Sequence, residues 1–286
     1  MKQVAVINDI SGFGNCSLGA ALPVLSVLGV QCNPIPIMSL TGQGGYPVAY
    51  RKDLSDMLSR YTEVWSANDV TIDGIYCGHV TEPQQIAHIT DFLSTFRKED
   101  TFLLVDPAMG DNGHTYESFS VELLDGMKRL TRQADLIIPN LTEACLLADV
   151  SPEDVLINLD PTKRLERAIE IAGMLRSRAE RPQDVVITGI IGKSEKGNIV
   201  SNVGFTKEGI RISSRPWFEK RYSGTGDLFS SAMCGLRMNG NTTSQAMDIT
   251  VRFLHLSIAD GAANNAEINN GVPFQRHLNE LLPYAK

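Results

Sequence analysis

Residues 4–8 read VAVIN, and residues 18–28 read LGAALPVLSVL before Gly29. The first stretch is a short apolar run, which is typical of a strand buried on both faces of a parallel sheet. The second is long enough for a helix, and glycine commonly follows the last residue of a helix. A buried strand that leads into a helix is the repeating unit of α/β proteins. This stretch therefore predicts an α/β fold.

The same alternation continues along the chain. Strand-like segments occupy residues 34–38, 72–77, 102–105, 136–138 and 185–187. Helix-like segments occupy residues 48–61, 84–96, 119–130, 162–178, 227–238, 244–263 and 275–282, and Thr142 is expected to cap a short helix that ends at Leu147.

Residues 199–212 break this rhythm, because two strand-like stretches flank the turn residues 207–209. We therefore expect a three-layer, doubly wound fold, in which helices flank a mostly parallel sheet with an antiparallel hairpin at its edge. No linker-like change of composition divides the chain, so residues 1–286 are predicted to form a single domain.

The composition excludes several classes of function. With 43% hydrophobic and 21% charged residues, the chain matches an ordinary globular protein. Its net charge of -7 opposes binding to nucleic acid or to an anionic membrane, and no basic stripe carries interleaved aromatic residues. We therefore expect neither nucleic acid nor membrane as a partner.

The five cysteines are dispersed, and no pair has CxxC spacing. This pattern favours reduced core thiols, and no histidine or cysteine cluster has the spacing of a zinc site. No run of 18 apolar residues occurs, and a strand-like segment begins at Val4 without a signal-peptide pattern before it. These features predict a cytoplasmic location.

Polar residues follow several predicted strands, at residues 8–11, Asp106, Asn140 and Thr188. In an open parallel sheet, ligands bind beyond the carboxyl ends of the strands. These side chains are therefore expected to converge on one cleft, although a simple strand-end cap is the preferred interpretation of Asp106.

Residues 223–227 read SGTGD and precede a strong helix former. Two glycines at a helix N-terminus leave backbone N–H groups free to bind the oxygens of a phosphate. Asp227 would lie in the first turn, where a carboxylate can accept the proton of an attacking hydroxyl. The competing interpretation is a glycine turn in which Asp227 only caps the helix.

Five segments in order along the chain together resemble the ribokinase-like superfamily and, within it, the pyridoxal and pyridoxine kinase branch. They are residues 7–14 (INDISGFG), 106–113 (DPAMGDNG), 135–143 (DLIIPNLTE), 186–189 (VITG) and 224–229 (GTGDLF). The resemblance implies that ATP phosphorylates the 5'-hydroxymethyl group of a B6 vitamer. It makes Asp227 the base and places Gly224, Thr225 and Gly226 in the anion-binding turn.

The resemblance also implies Mg²⁺, because carboxylates beside a triphosphate require a neutralising cation. Glu143 and Asp111 are the expected metal-binding residues. Asp111, Asn140, Thr188, Thr225 and Gly226 are the expected ATP-binding residues. A capping network around Thr142 is the alternative for Asn140 and Glu143.

The substrate segments depart from the family pattern. Residues 39–46 read SLTGQGGY, so Gln43 replaces the usual threonine of a Ser-x-His-Thr-Gly run, and His79 stands where an aromatic residue is common. Ser11, Gln43, His79 and Asp227 are the expected substrate-binding residues. Imidazole and amide groups can still hydrogen-bond a substituted pyridine.

Three alternatives remain open. Hydroxymethylpyrimidine kinases of thiamine synthesis share the fold but often carry cysteine in place of Asp227. Sugar and nucleoside kinases usually add a larger lid, for which residues 29–66 show no β-rich insertion. A non-catalytic regulator on a kinase scaffold is the third alternative.

Weaker expectations concern the surroundings of the site. A homodimer and a monovalent cation near the nucleotide are implied by the resemblance alone. Lys193, Lys196 and Lys207 are candidates for attracting ATP, with solvated surface lysines as the alternative. His255 is expected to have a packing role inside a helix.

Overall fold

The computed structural model describes residues 1–195 and 197–286, so Lys196 lies outside the described residues. Its strands are β1 Gln3–Ser11, β2 Gln31–Leu40, β3 Arg51–Asp53, β4 Gly74–Cys77, β5 Phe102–Val105, β6 Gly110–Asp111, β7 His114–Thr115, β8 Leu136–Ile137, β9 Asp184–Ser194, β10 Gly197–Thr206 and β11 Gly209–Pro216.

The helices are α1 Ser17–Val27, α2 Ser55–Ala67, α3 Pro83–Phe96, α4 Val121–Gln133, α5 Leu141–Leu147, α6 Pro152–Leu156, α7 Arg164–Ser177, α8 Thr225–Met238 and α9 Thr243–Ala263. Three 3₁₀ segments follow, at Ile268–Asn270, Phe274–Glu280 and Leu282–Tyr284. Within the described residues, no helix is both long enough and apolar enough to span a bilayer.

Nine strands form one mixed sheet in the order β11-β10-β9-β8-β5-β4-β1-β2-β3. Strands β2, β1, β4, β5, β8 and β9 are parallel to their neighbours in this run, whereas β3 and the β9-β10-β11 edge pair antiparallel. The predicted α/β fold and its edge hairpin at 199–212 are confirmed. The hairpin belongs to a larger antiparallel edge, since β9 also runs antiparallel to β10.

Strand β1 shows why its sequence is apolar throughout. Val4 and Val6 pack into the core layer beneath α1, α8 and α9, while Ala5 and Ile7 pack into the layer beneath α2 to α7. Successive side chains of a strand point to opposite faces, so a strand covered on both faces must be apolar at every position. All four side chains are fully buried.

Three local predictions are wrong. Residues 48–61 are not one helix, because residues 51–53 pair with β2 and α2 begins only at Ser55, whose N–H donates to the Asp53 carboxylate at 3.1 Å. Residues 275–282 form 3₁₀ turns between prolines at 273 and 283 instead of an α-helix. The cap of α5 is Asn140, not Thr142.

The five cysteines are free thiols, as their spacing indicated. Four of them are buried in the core, at positions 16, 77, 145 and 234.

Candidate active site

The carboxyl ends of β1, β4, β5, β8 and β9 open towards the N-termini of α5 and α8. The parallel register of these strands brings Asn8, Asp106, Asn140 and Thr188 to one edge of the sheet. Asn140 and Thr188 are direct neighbours there, through an isolated parallel bridge. The predicted convergence of strand-end polar residues is confirmed.

The N-terminus of α8 has an open, glycine-lined backbone. Gly224 adopts φ +75°, and a Cβ atom there would lie 2.0 Å from the carbonyl oxygen of Asn15, so this turn requires glycine. Among the described residues outside the helix's own backbone, no group lies within 4 Å of the point where a Cβ of Gly226 would be, so this face of the turn has room for a ligand. None of the described side chains caps the helix, which leaves its first amides available to an anion.

Asp227 lies at the third helical position of α8. The interpretation of Asp227 as the N-cap is wrong, because Gly224 occupies that position. Its carboxylate accepts hydrogen bonds from Asn8 Nδ2 at 3.2 Å and from the backbone N–H of Ser17. Burial, followed by the charge of Asp9, raises the pKa of Asp227 to about 6. The group is therefore ionised at neutral pH and remains basic enough to take a proton.

Two buried carboxyl groups, Asp106 and Glu143, extend the acidic cluster beyond Asp227. Asp106 accepts a hydrogen bond from the hydroxyl of Ser230 at 2.7 Å, so its side chain bonds to α8 and is not a local strand-end cap. Burial and the charge of Asp227 raise the pKa of Asp106 to about 7. Burial and the charge of Asp106 also raise the pKa of Glu143. Ligands that bring positive charge would relieve this concentration of acidic groups.

Glu143 and Asn140 form a reciprocal capping box at the N-terminus of α5. Asn140 Oδ1 accepts from the N–H of Glu143 at 3.1 Å, and Glu143 Oε2 accepts from the N–H of Asn140 at 2.8 Å. Glu143 Oε1 accepts from the N–H of Met109 at 3.1 Å. The predicted capping network exists, but it centres on Asn140. Thr142 instead accepts from the N–H of Gly113 at 3.0 Å.

The buried acidic groups fit a hydrated magnesium ion better than a metal held by protein alone. Among the residues that the structure describes, no three His, Cys, Asp or Glu side chains are grouped to hold a metal. Mg²⁺ usually keeps several waters and takes one or two carboxylates together with substrate phosphates. The Asn140 amide is also engaged through Nδ2, which donates to the carbonyl of Gly110 at 2.7 Å.

A cavity of about 210 Å³ begins at the α8 turn and extends towards the antiparallel edge. Predicted residues Asp111, Thr188, Thr225 and Gly226 line it together. Asp111 is half-exposed and pairs with Arg221 at 3.2 Å. The hydroxyl of Thr225 donates to the carbonyl of Tyr222 at 3.1 Å, so its side chain stabilises the turn.

The far wall of this cavity was missed by sequence reasoning. It is aromatic and basic: Arg221 lies over the ring of Trp217 at 5.4 Å, and Phe218 stacks on His255 at 5.2 Å. His255 was expected only to pack, but it lines the cavity. Neither Lys193 nor Lys207 does so. Three other cations line it, namely Arg215, Lys220 and Arg221. The sequence signal was the RPWFEKR stretch at 215–221.

The predicted substrate residues differ in how fully their polar groups are already engaged by other residues. Ser11 donates to the Asp9 carboxylate at 3.4 Å, and His79 Nδ1 lies 3.3 Å from the same group. Gln43 is buried, with Nε2 donating to the carbonyl of Asn269 at 3.0 Å and Oε1 accepting from the N–H of Gly45 at 2.8 Å. The Gln43 side-chain amide therefore links its own loop, through Gly45, to the loop that contains Asn269.

A doubly wound sheet whose strand ends meet an open helix N-terminus and a half-buried carboxylate is the architecture of small-molecule kinases of the ribokinase-like class. The family model of phosphomethylpyrimidine kinase matches residues 37–272, so the chain belongs to this family. It is a kinase that phosphorylates a hydroxyl group, as the sequence predicted.

Solved structures and curated relatives are similar over most of the chain. A "putative phosphomethylpyrimidine kinase" from Bacteroides thetaiotaomicron is 30% identical, with a TM-score of 0.89 over 98% of this chain and 93% of that one. A second crystal form of it contains pyridoxal, with a TM-score of 0.87. Pyridoxal kinase from Lactobacillus plantarum is 26% identical, with a TM-score of 0.86 over 99% and 97% of the chains. Pyridoxal kinase of Dictyostelium discoideum is 24% identical over 75% of this chain and 71% of its own length.

Proposed function

We propose that this protein is an ATP-dependent kinase that phosphorylates the 5'-hydroxymethyl group of a B6 vitamer, namely pyridoxal, pyridoxine or pyridoxamine. The observation that carries the proposal is the position of Asp227, a half-buried carboxylate in the first turn of a helix whose N-terminal amides have no side-chain cap within the described residues. Asp227 takes the proton of the attacking hydroxyl. The N–H groups of Gly224, Thr225 and Gly226 stabilise charge on the transferred oxygens.

The protonation state of Asp227 suits this role. With a pKa of about 6, its carboxylate is ionised at neutral pH and is a stronger base than an exposed aspartate. The hydrogen bonds from Asn8 and Ser17 hold the carboxylate in one orientation. A fixed base beside a fixed anion site lowers the barrier mainly by positioning.

ATP occupies the cavity that Asp111, Thr188, Thr225 and Gly226 line, and Asn140 is the neighbour of Thr188 at the sheet edge. The aromatic and basic wall around Trp217 and Arg221 suits a stacked base and a polyphosphate. Glu143 and Asp111 would hold Mg²⁺, whose charge would neutralise the phosphates and the acidic groups around them.

The vitamer ring lies among Ser11, Gln43 and His79, with its hydroxymethyl group directed at Asp227. The pyridoxal bound to the Bacteroides protein and the name of the Lactobacillus enzyme support a B6 vitamer. The matching family model favours a second candidate, the hydroxymethylpyrimidine ring or its phosphate. Both substrates present a hydroxymethyl group on a flat heteroaromatic ring.

The test is ATP consumption by purified protein with Mg²⁺, against pyridoxal, pyridoxine, pyridoxamine and hydroxymethylpyrimidine in parallel. Asp227→Asn removes the base, and Asp248→Asn is a matched control at an exposed ion pair with Arg211. We expect turnover of a B6 vitamer that is lost only in Asp227→Asn. Turnover of the pyrimidine alone would support the second candidate, and inactivity on all four would support a non-catalytic regulator.

We further propose that residues 1–286 act as one cytoplasmic kinase domain, that it forms a homodimer, and that a monovalent cation assists nucleotide binding. These statements rest on the motif resemblance of the sequence to the pyridoxal and pyridoxine kinase branch. Light scattering measures the oligomer, and activity in K⁺ against Na⁺ measures the cation effect.

A further inference from the structure

Asp9 is a buried carboxylate beside the base, and the reaction proposed above gives it no role. It follows Asn8 near the end of β1, and only 3% of its surface is exposed. Its Oδ1 accepts from the hydroxyl of Ser17 at 2.8 Å and lies 3.3 Å from Nδ1 of His79. A buried charge is costly unless it has partners, and His79 is the only cationic partner that Asp9 has within the described residues.

His79 is held in one orientation. Its backbone N–H donates to Oδ1 of Asn8 at 3.1 Å, and its ring meets Tyr116 edge-on with 6.4 Å between centroids. With Nδ1 directed at Asp9, the other ring nitrogen, Nε2, has no partner in the part of the chain that the structure describes. The side chain is 28% exposed, so the imidazole borders the open cleft.

The same contacts place His79 beside the reacting group. Asn8 bridges the two residues, because its Oδ1 binds the His79 backbone while its Nδ2 donates to Asp227. Gly78 permits this approach, since a Cβ there would lie 2.3 Å from Asn8 Nδ2. Ser17 makes a second link, with its hydroxyl on Asp9 and its N–H on Asp227.

We propose that Asp9 and His79 form a specificity-determining ion pair, in which Nε2–H of the imidazolium binds an anionic oxygen on the aromatic ring of the substrate. The inference rests on the proposed function and deepens it. It selects 3-hydroxypyridines, which carry a phenolate oxygen, over aminopyrimidines, which offer an amino donor. Asp9 is the positioning residue, and His79 is the residue that contacts the substrate.

The charges around His79 support its protonated form. Burial by itself lowers the pKa of His79, but the hydrogen bond and charge of Asp9 outweigh burial, with smaller contributions from Asp227 and Asp106, so the net pKa is raised. Asp9 approaches from β1, Asp227 from α8, Asp106 from the end of β5 and the neutral Tyr116 from after β7. An imidazolium donates from both nitrogens, so Nε2–H is available to an acceptor.

An anionic oxygen is the ring substituent that the imidazolium binds most strongly. A charge-assisted hydrogen bond is about twice as strong as a neutral one, and a site built for one rejects a ligand that cannot supply it. An amino group facing Nε2–H would set donor against donor. The carboxylates that surround the imidazolium also repel an anion that does not meet it directly.

The test uses ligands that cannot be phosphorylated, so it does not depend on turnover. 3-Hydroxy-2-methylpyridine carries the ring oxygen without a hydroxymethyl group, and 2-methylpyridine lacks the oxygen. Binding of each to the wild type, His79→Gln and Asp9→Asn is measured by titration. The ultraviolet spectrum of bound 3-hydroxy-2-methylpyridine reports whether its oxygen is anionic.

We expect the wild type to bind 3-hydroxy-2-methylpyridine with an anionic oxygen, and both variants to bind it about tenfold or more weakly. Binding of 2-methylpyridine should change little. In Asp9→Asn, the loss of affinity as the pH rises should begin at lower pH, because His79 loses the carboxylate that keeps it protonated.

Equal losses for both ligands, or a bound ligand with a neutral oxygen in the wild type, would overturn the inference. These outcomes are separate from failure of the proposed function. A protein that binds the anionic ligand but turns over no vitamer retains the ion pair and loses the kinase assignment. A protein that turns over a vitamer but binds both ligands equally keeps the kinase assignment and loses the proposed role of the ion pair.

Discussion

Two helices begin at the same edge of the sheet, and each carries a carboxylate at its third position: Glu143 in α5 and Asp227 in α8. In α5, the carboxylate folds back onto the amide of its own cap, Asn140, and closes the helix end. In α8, the cap is Gly224, and the carboxylate is held by Asn8 and Ser17 from other elements. The capping box satisfies backbone N–H groups at the first helix end. The second keeps free amides beside a base, which is what a transferred phosphoryl group needs.

Among the changes that test this difference between the two helix ends, replacing the base should reduce activity most. Asp227→Asn keeps the shape of the side chain but cannot accept the hydroxyl proton, so kcat should fall by about 10²–10⁴-fold. Steady-state kinetics with saturating ATP and vitamer measures the change. Circular dichroism should show an unchanged fold, and retention of wild-type kcat would remove Asp227 from its role.

Filling the open turn should have the next largest effect. Gly226→Ala puts a methyl group where no described residue outside the local helix backbone lies within 4 Å, so folding should tolerate it while phosphate binding does not. We expect a loss of about 10²-fold in kcat/KM for ATP, by analogy with removal of one donor from an anion hole. Gly173→Ala in α7, which meets only an ordinary contact at 3.5 Å, is the matched control. If both variants were equally active, the turn would not bind phosphate.

The pH dependence of activity should reflect the pKa of Asp227 at the open helix end. Since burial and Asp9 raise the pKa of Asp227 to about 6, kcat/KM for the vitamer should fall about tenfold per pH unit below that value. Between about pH 4 and pH 6, Asp227 is therefore protonated more fully in the native state than in the unfolded state. Stability without ligand should therefore be greatest below about pH 4 for this group and decline as the pH rises through 6. A rate profile that is flat between pH 5 and 7 would contradict this.

At the closed helix end, a small effect on folding stability is expected in addition to the loss of activity that removing a proposed Mg²⁺-binding carboxylate would cause. Glu143→Ala removes acceptors from the amides of Asn140 and Met109 and should lower the free energy of unfolding by about 1–2 kcal/mol. Urea unfolding measures it. Asp154→Ala in the short helix α6 is an exposed control at the same third position, where the Ser151 hydroxyl accepts from the N–H of residue 154. A loss no larger than that of the control would show that the box at α5 contributes little.

Sequence reasoning predicted the fold well where local pattern and tertiary environment agree. The apolar run at 4–7 and the strand pair at 199–212 needed no long-range information, because their side-chain pattern reflects burial directly. The helix expected at 48–61 failed because pairing with β2 draws residues 51–53 into the sheet edge. The periodicity of the sequence at 48–61 does not predict this pairing.

The candidate site was predicted unevenly for a related reason. Asp227 and its glycines, Asn140, Glu143 and Thr188 occur in short motifs, so they were found and are brought to one sheet edge. Their roles remain predictions. Asp9 was missed although it adjoins Asn8 in a quoted segment, because its partners Ser17 and His79 are up to 70 residues away.

By itself, the sequence determined the α/β architecture, the glycine turn before α8 and the position of its carboxylate, because each depends on residues adjacent in the chain. Tertiary structure alone decided which helix end stays open and which backbone groups Gln43 binds. It also decided which charges surround Asp227 and His79. Those outcomes depend on contacts between β1, the end of β4, α1 and α8, and on the contact between Gln43 and the loop at Asn269. The residues in contact lie up to 226 positions apart. Burial and electrostatics act through space, so they set proton affinity and ligand access only once the chain has folded.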